Sequence, residues 1–275
     1  NTLKLNKSNF YFKYPLVMGI CNITKDSFSD GGKSYQKFDA LKNIKLMLKQ
    51  GASIIDIGAE STRPGSEPIS YNEEIKRIEP VLKVLPKNKF IISIDTNKIE
   101  TQEFVLKKGA HIINDIFGGN EDLFYLTKKY HSGVILMHTP APPKIMQKKI
   151  QSYNNVMQDI KKYFVNKLKS ADKLKIPHKK IWLDPGIGFG KNLKQNLNIL
   201  SKIDQFKIQN CGIMIGSSRK SWIYKIDGSA VENRIGGSLA SVLYCLNKGV
   251  DIFRVHDVYE TQQAIKIFNK IKCLK

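Results

Sequence analysis

A (β/α)8 barrel is the fold this sequence predicts, and three observations point to it. Short β-branched runs alternate with longer stretches of helical period along the whole chain, the pattern of repeated βαβ units. Eight such runs occur: Leu16 to Cys21, Ser53 to Ile57, Phe90 to Ile94, His111 to Ile113, Gly133 to Met137, Lys180 to Leu183, Gly212 to Ile215 and Asp251 to Val255. Their C-terminal ends lie about 33 residues apart on average, the length of a strand plus a crossover helix, and a doubly wound sheet rarely carries eight units so evenly spaced.

In chain order, residues 1 to 14 precede the first strand and are expected to cover the barrel floor, within one barrel domain spanning 1–275. Phe38, Leu41, Ile44 and Leu48 form an apolar stripe stopped by Gly51, so a helix is expected there with that face inward. Ser70-Tyr-Asn-Glu73 reads as a capping box opening the next helix. Tyr153, Val156, Met157, Ile160, Phe164, Leu168 and Ala171 mark the longest helix.

The chain has 275 residues and is 41% hydrophobic, enough for a sizeable core. It contains no apolar run of the roughly 18 residues a membrane helix needs and no apolar signal segment at its start, so a soluble cytoplasmic protein with no membrane partner is expected. Cys21, Cys211, Cys245 and Cys273 show no zinc-like spacing and are read as reduced packing residues. The net charge of +21 favours small polyanions. Nucleic acid is not expected as a partner, because lysines such as Lys42, Lys45, Lys49, Lys161, Lys162, Lys167 and Lys169 fall on helix faces without interleaved aromatics.

Barrel active sites lie at the C-terminal ends of the strands, and here these ends are consistently polar. They carry Asn22, Glu60-Ser-Thr-Arg63, Asp95, Asn114-Asp115, His138, Asp184, Ser217-Ser-Arg-Lys220 and Arg254-Val-His256. Asp95, Asn114 and Asp184 together offer donors and acceptors to a flat heterocycle. Lys220, Arg254 and His256 come from the last two units, where barrels commonly hold phosphate. Asn22 can give a neutral oxygen to Mg²⁺, which completes its shell with phosphate and water. A polar ring carrying a phosphate or diphosphate is therefore the expected substrate. Asp184-Pro-Gly-Ile-Gly-Phe-Gly-Lys191 is one residue too short for a nucleotide loop and has Asn192 where Ser or Thr belongs. It reads as a sharp turn that brings backbone close to a flat ligand. The polar loops at Asp26 to Gly32 and Ser61 to Gly65 are expected to act as lids.

Over nearly its whole length the chain resembles the dihydropteroate synthases. The resemblance rests on Met18-Gly-Ile-Cys-Asn-Ile-Thr-Lys-Asp-Ser-Phe-Ser-Asp-Gly-Gly32, Asp56-Ile-Gly-Ala-Glu-Ser-Thr-Arg-Pro-Gly65, Ser93-Ile-Asp-Thr96, Ile113-Asn-Asp-Ile116, Leu183 to Lys191, Gly216-Ser-Ser-Arg-Lys220 and Arg254-Val-His-Asp257. It implies condensation of 6-hydroxymethyl-7,8-dihydropterin diphosphate with p-aminobenzoate to 7,8-dihydropteroate and pyrophosphate, by an SN1-like, Mg²⁺-assisted substitution. It further implies that Asp95, Asn114, Asp184 and Lys220 hold the pterin. Asn22 with Mg²⁺, Thr62, Arg63, Arg254 and His256 would bind the diphosphate, and Phe28, Thr62, Pro64, Phe189 and Ser218 would frame p-aminobenzoate. The catalytic group implied is Asp95, Lys220, Arg254 and His256. A homodimer is expected, and the start at Asn1 fits trimming, or excision from or fusion to another folate-pathway domain. Two departures stand out: Met137-His-Thr-Pro-Ala-Pro-Pro143 replaces the usual Met-His-Met-Gln-Gly, which puts the pterin pocket's edge in question, and Ser217 replaces a Met.

Overall fold

Eight parallel strands close on themselves in the computed structural model, which describes residues 2–23, 33–60, 68–140 and 153–274. An antiparallel hairpin comes first, β1 (Thr2–Leu5) and β2 (Ser8–Tyr11). The barrel strands are β3 (Leu16–Asn22), β4 (Ile54–Gly58), β5 (Ile91–Asp95), β6 (Ile112–Asp115), β7 (Gly133–Met137), β8 (Ile181–Asp184), β9 (Gly212–Ile215) and β10 (Ile252–Val255). Each pairs with the next, and β10 closes the ring on β3 with Leu16 opposite Ile252. The helices among the described residues are α1 (Lys33–Lys49), α2 (Tyr71–Leu82), α3 (Ile99–Lys107), α4 (Glu121–Tyr130), α5 (Val156–Lys173), α6 (Leu193–Ser201), α7 (Ser221–Asp227), α8 (Ile235–Asn247) and α9 (Val258–Lys272). None of them is long and apolar enough to cross a membrane.

Side chains alternate faces along a strand, and the two faces of this barrel differ. Outward residues such as Val17, Ile55, Ile92, Ile113, Leu136, Ile213 and Phe253 form the large core with the helices. Inward, one apolar layer fills the lower barrel: Leu16, Met18, Ile54, Ile91, Ile112, Ile135, Trp182, Met214 and Ile252. Trp182 fits because its neighbour in β9 is Gly212, where a Cβ would lie 2.2 Å from the indole. The hairpin caps this layer with Leu3, Leu5 and Phe10. Asn6 fastens it, its Nδ2 donating to the carbonyls of Leu106 and Ala110, both at 2.9 Å. Two residues further along the strands the interior turns polar, with Asp56, Ser93, Asn114 and Asp184 all buried.

Some local expectations need correction. The buried face of α1 is Ala40, Ile44 and Met47, while Phe38 is 66% exposed and Leu41 and Leu48 lie at the edge of the core. Met47 belongs there because Gly19 leaves it room, a Cβ at that position lying 2.5 Å from its Sδ. Cys21, Cys211 and Cys245 are buried thiols, whereas Cys273, just beyond the last helix, is exposed. Lys167 is no solvated lysine: it crosses the Tyr163 ring to reach the Gly119 carbonyl. Ser70 does accept the Glu73 N–H at 3.2 Å, and the carboxylate of Glu73 pairs with Arg77 at 2.9 Å. A reciprocal box also forms at Asn192 and Gln195, with bonds of 2.9 and 2.8 Å, which explains the Asn in a position that would be Ser or Thr in a nucleotide loop.

Candidate active site

The polar layer is organised around Arg254, carried up from β10. Its Nε donates to Asp56 at 2.6 Å and its Nη2 to Asp95 at 2.8 Å. The same Asp56 oxygen accepts from Asn114 at 3.0 Å, so β4, β5, β6 and β10 share one network. Charge-assisted bonds of this length are strong and directional. Although burial works against its charge, the Asp56 and Asp95 carboxylates hold the Arg254 guanidinium above its usual basicity. Burial pushes Asp95 up to about 7, with Arg254 opposing that rise and Asp56 adding to it. A carboxyl poised there can exchange a proton or stabilise a developing cation near neutral pH.

The facing wall is built by the turn after β8. Asp184 is buried, which raises its pKa, and Lys220 opposes that rise most strongly. Its carboxylate accepts the Gly186 N–H at 2.8 Å. Gly186 has φ +70°, and a Cβ there would lie 2.2 Å from the His138 carbonyl oxygen, so only glycine permits this close approach. Lys220 reaches back over the turn to donate to the Ile187 carbonyl, with its Nζ 4.4 Å from the centre of the Phe189 ring. Burial lowers it to about 8, with Asp184 pulling the other way.

At the rim, Ser218 Oγ lies 3.1 Å from His256 Nδ1 and accepts the His256 backbone N–H at 3.3 Å. Protein atoms crowding the His256 ring, then the Arg254 cation, push the imidazole down to about 4. It therefore serves near neutrality as a hydrogen-bonding group and not as a charge. Arg219 grips Asp257, Nε to Oδ2 at 2.8 Å, and Arg234 donates to the Arg219 carbonyl at 3.0 Å. These pairs tie the loops after β9 and β10 together. Asn22 ends β3 beside Asp95: the two flank Gly58, where a Cβ would lie 3.5 Å from Asn22 Oδ1 and 3.5 Å from Asp95 Cβ. Phe28, Thr62, Arg63 and Pro64, and residues 141–143 of the departing loop, lie outside the described residues. Ser217 faces away from the site and meets Ser241, Oγ to Oγ at 2.7 Å, so the substitution there has a polar partner in α8.

The pterin binding enzyme family matches residues 18–256. The dihydropteroate synthase of Escherichia coli K12 is 40% identical over 257 residues, covering 92% of this chain and 90% of that protein. The chain belongs to the dihydropteroate synthase family of pterin-binding enzymes. Among solved structures, the Yersinia pestis dihydropteroate synthase in complex with a sulfonamide drug superimposes with a TM-score of 0.90 at 36% identity, covering 99% of this chain and 100% of that one. The Burkholderia cenocepacia dihydropteroate synthase complexed with 7,8-dihydropteroate gives 0.86 at 29% identity, over 99% and 97%.

As a member of the dihydropteroate synthase family, the chain brings Asn22, Asp95, Asn114, Asp184, Phe189, Ser218, Lys220, Arg254 and His256 to one end of the barrel. Reading strand ends missed Asp56, the acceptor that holds both Arg254 and Asn114. Its signal was a charged residue inside Ile-Ile-Asp-Ile-Gly, two positions from the floor residue Ile54 and hence inward-facing. Lys191 was missed as well: it is only 6% exposed, although a lysine in a glycine-rich turn reads as solvated.

Proposed function

We propose that this chain is a dihydropteroate synthase, a transferase that joins 6-hydroxymethyl-7,8-dihydropterin diphosphate to p-aminobenzoate in folate biosynthesis. The observation that carries the reading is the pair of buried carboxylates on opposite walls, Asp95 and Asp184, each with a cation beside it, Arg254 and Lys220. Asp95, Asn114 and Asp184 present acceptors and a carboxamide to the amino and amide edge of a pterin, and Lys220 donates to its ring nitrogen or carbonyl. Arg254 and His256, with Thr62 and Arg63, receive the diphosphate, while Phe189 and Ser218, with Phe28, Thr62 and Pro64, frame p-aminobenzoate.

In the substitution, the bond from the pterin methylene to the diphosphate oxygen breaks, and pyrophosphate departs with the electron pair. Arg254 and His256 stabilise that charge, and the Asp95 carboxylate faces the cationic pterin methylene left behind. The amine of p-aminobenzoate then bonds to the methylene and releases its proton. The described donors suit Mg²⁺ in one respect, since Asn22 offers a single neutral amide oxygen beside Asp95, and a hard cation bound mainly by diphosphate and water needs little more. When bound, Mg²⁺ would neutralise charge on the departing pyrophosphate. Cytoplasmic location and a homodimeric state belong to the same proposal.

The test is direct. The protein is incubated with the pterin diphosphate, p-aminobenzoate and Mg²⁺, and dihydropteroate and pyrophosphate are quantified together. Equal amounts of both are expected. Pyrophosphate without dihydropteroate, or neither product, would overturn the reading.

A further inference from the structure

Lys191 is a buried cation that the chemistry above does not use. Only 6% of it is exposed, and its Nζ donates to three neutral carbonyls: Gly186 at 2.9 Å, Phe189 at 3.0 Å and His138 at 3.3 Å. An ammonium has three N–H groups, so all are spent on backbone. A buried charge held by neutral dipoles is costly to keep, and burial pushes this one down to about 7. The carbonyls it chooses fall at both ends of the turn after β8 and at the end of β7. That turn carries Gly186, whose N–H binds Asp184, Ile187, whose carbonyl takes Lys220, and Phe189, whose ring lies under Lys220.

The charge has a second target. Lys191 and Asp184 meet at one residue, Gly186, whose carbonyl takes the Lys191 Nζ at 2.9 Å and whose N–H donates to Asp184 Oδ1 at 2.8 Å, so Lys191 joins Lys220 and Arg254 in favouring the ionised form of Asp184. Lys191 in turn is faced by Asp184 and Lys220, and by the His138 imidazole, which burial and then the Lys191 charge hold down to about 3.

We propose that Lys191 is a positioning residue of the pterin site: its ammonium fixes the 186–189 turn against the end of β7, and from that turn its charge joins that of Lys220 in keeping Asp184 an ionised acceptor. This rests on the reading that Asp184 accepts hydrogen bonds from a pterin. An ionised carboxylate can accept two N–H groups side by side, while a protonated one loses an acceptor position.

The test is calorimetric binding of 6-hydroxymethylpterin between pH 5 and 8 to the unsubstituted protein and to two variants. Lys191→Gln keeps two N–H donors for the three carbonyls and removes the charge. Asn196→Ala loosens the same turn, because Asn196 accepts the Gly188 N–H at 2.8 Å, but leaves the charge. Pterin affinity is expected to fall as pH drops, because Asp95, at about 7, and Asp184 both take up protons, so the Asp184 titration is followed separately through its carboxyl carbon-13 signal. In Lys191→Gln the pH at which that Asp184 signal titrates should move up, with pterin affinity a few fold lower on the acid side. In Asn196→Ala affinity should drop with that pH unmoved. An unmoved pH in Lys191→Gln would overturn the proposal. Failure of the unsubstituted protein to bind pterin at any pH would instead overturn the functional reading beneath it. If Lys191→Gln does not fold, nitrogen-15 spectra of the unsubstituted protein at about pH 6, below the Lys191 value of about 7, decide: a slowly exchanging, hydrogen-bonded Lys191 ammonium is expected there, and a neutral amine at that pH overturns the proposal.

Discussion

Replacing Asp56 by alanine isolates what holds the polar layer together. Asp56 is fully buried, and one of its oxygens serves both Arg254 at 2.6 Å and Asn114 at 3.0 Å. Removing one member of a buried ion pair typically costs about 3–5 kcal/mol. Arg254 keeps its bond to Asp95 and is 21% exposed, so water can partly replace the lost partner, and the low end, about 3 kcal/mol, applies. Asn114, only 3% exposed, loses an acceptor for about 1 kcal/mol more. Against this, Asp56 Oδ1 is buried without a hydrogen-bond partner among the described residues, and its removal returns about 1 kcal/mol. The net loss of about 3 kcal/mol corresponds to a melting temperature lower by roughly 6–12 °C at 2–4 °C per kcal/mol. Activity should suffer too, because Arg254 and Asn114 lose the acceptor that aligns them; kcat/KM for the pterin diphosphate is expected to drop by about tenfold or more. Thermal denaturation and steady-state kinetics on Asp56→Ala measure both. A melting temperature within about 2 °C of the unsubstituted protein, with kcat/KM unchanged, would refute this account of the network.

Two further outcomes concern pH. Asp95 at about 7 must be ionised to face a cationic methylene, and Lys220 at about 8 must be protonated to donate and to oppose negative charge, so kcat/KM should trace a narrow bell with its acid limb near 7 and its alkaline limb near 8. Lys220→Arg should shift the alkaline limb out of range, and a flat profile across this interval would contradict both assignments. The other concerns acid stability. His111 accepts the Ile92 N–H through Nδ1 at 2.9 Å, and burial lowers its pKa from 6.5 to about 4. Its folded pKa is depressed, so the stability it contributes is present above 6.5 and lost as pH falls from 6.5 to 4, a loss of about 3 kcal/mol. Urea unfolding of His111→Asn should show a shallower decline over this window, and a parallel decline would exclude His111 as the source.

The strands were legible because a parallel barrel buries both faces of its sheet, leaving unbroken β-branched runs such as Ile54-Ile55 and Ile91-Ile92. Site residues at strand ends were legible for a related reason: Asp95, Asn114, Asp184 and Arg254 interrupt apolar runs at the end where barrels place their chemistry. Asp56 required the parity of β4 as well as its end. Phe38 misled because an apolar residue three positions from Leu41 satisfies helical period without being needed by the sheet, and the hole left by Gly19 is what selects Met47. Lys191 was illegible in principle, since nothing in a one-dimensional pattern records three carbonyls gathered from β7 and from both ends of a turn. Cys273 depended on where α9 stops, and terminal boundaries are set by fraying and not by composition.

The hairpin at the barrel floor has a consequence for the order in which this chain can be assembled. Residues 2–11 are synthesised before the barrel strands, yet what they dock against is contributed by Leu106, Ala110, His131, Trp182, Met214 and Ile252. β3 likewise waits for β10 before both its edges are paired. The hairpin must therefore remain unsatisfied while the barrel is being made, with an apolar strip and a strand edge held open until the last barrel strand emerges. Such long-range closure slows folding and leaves partly made chains prone to association. A circular permutant with new ends between α4 and β7, which places the hairpin and β3 beside the segments they join, should gain in folding yield while keeping the same barrel.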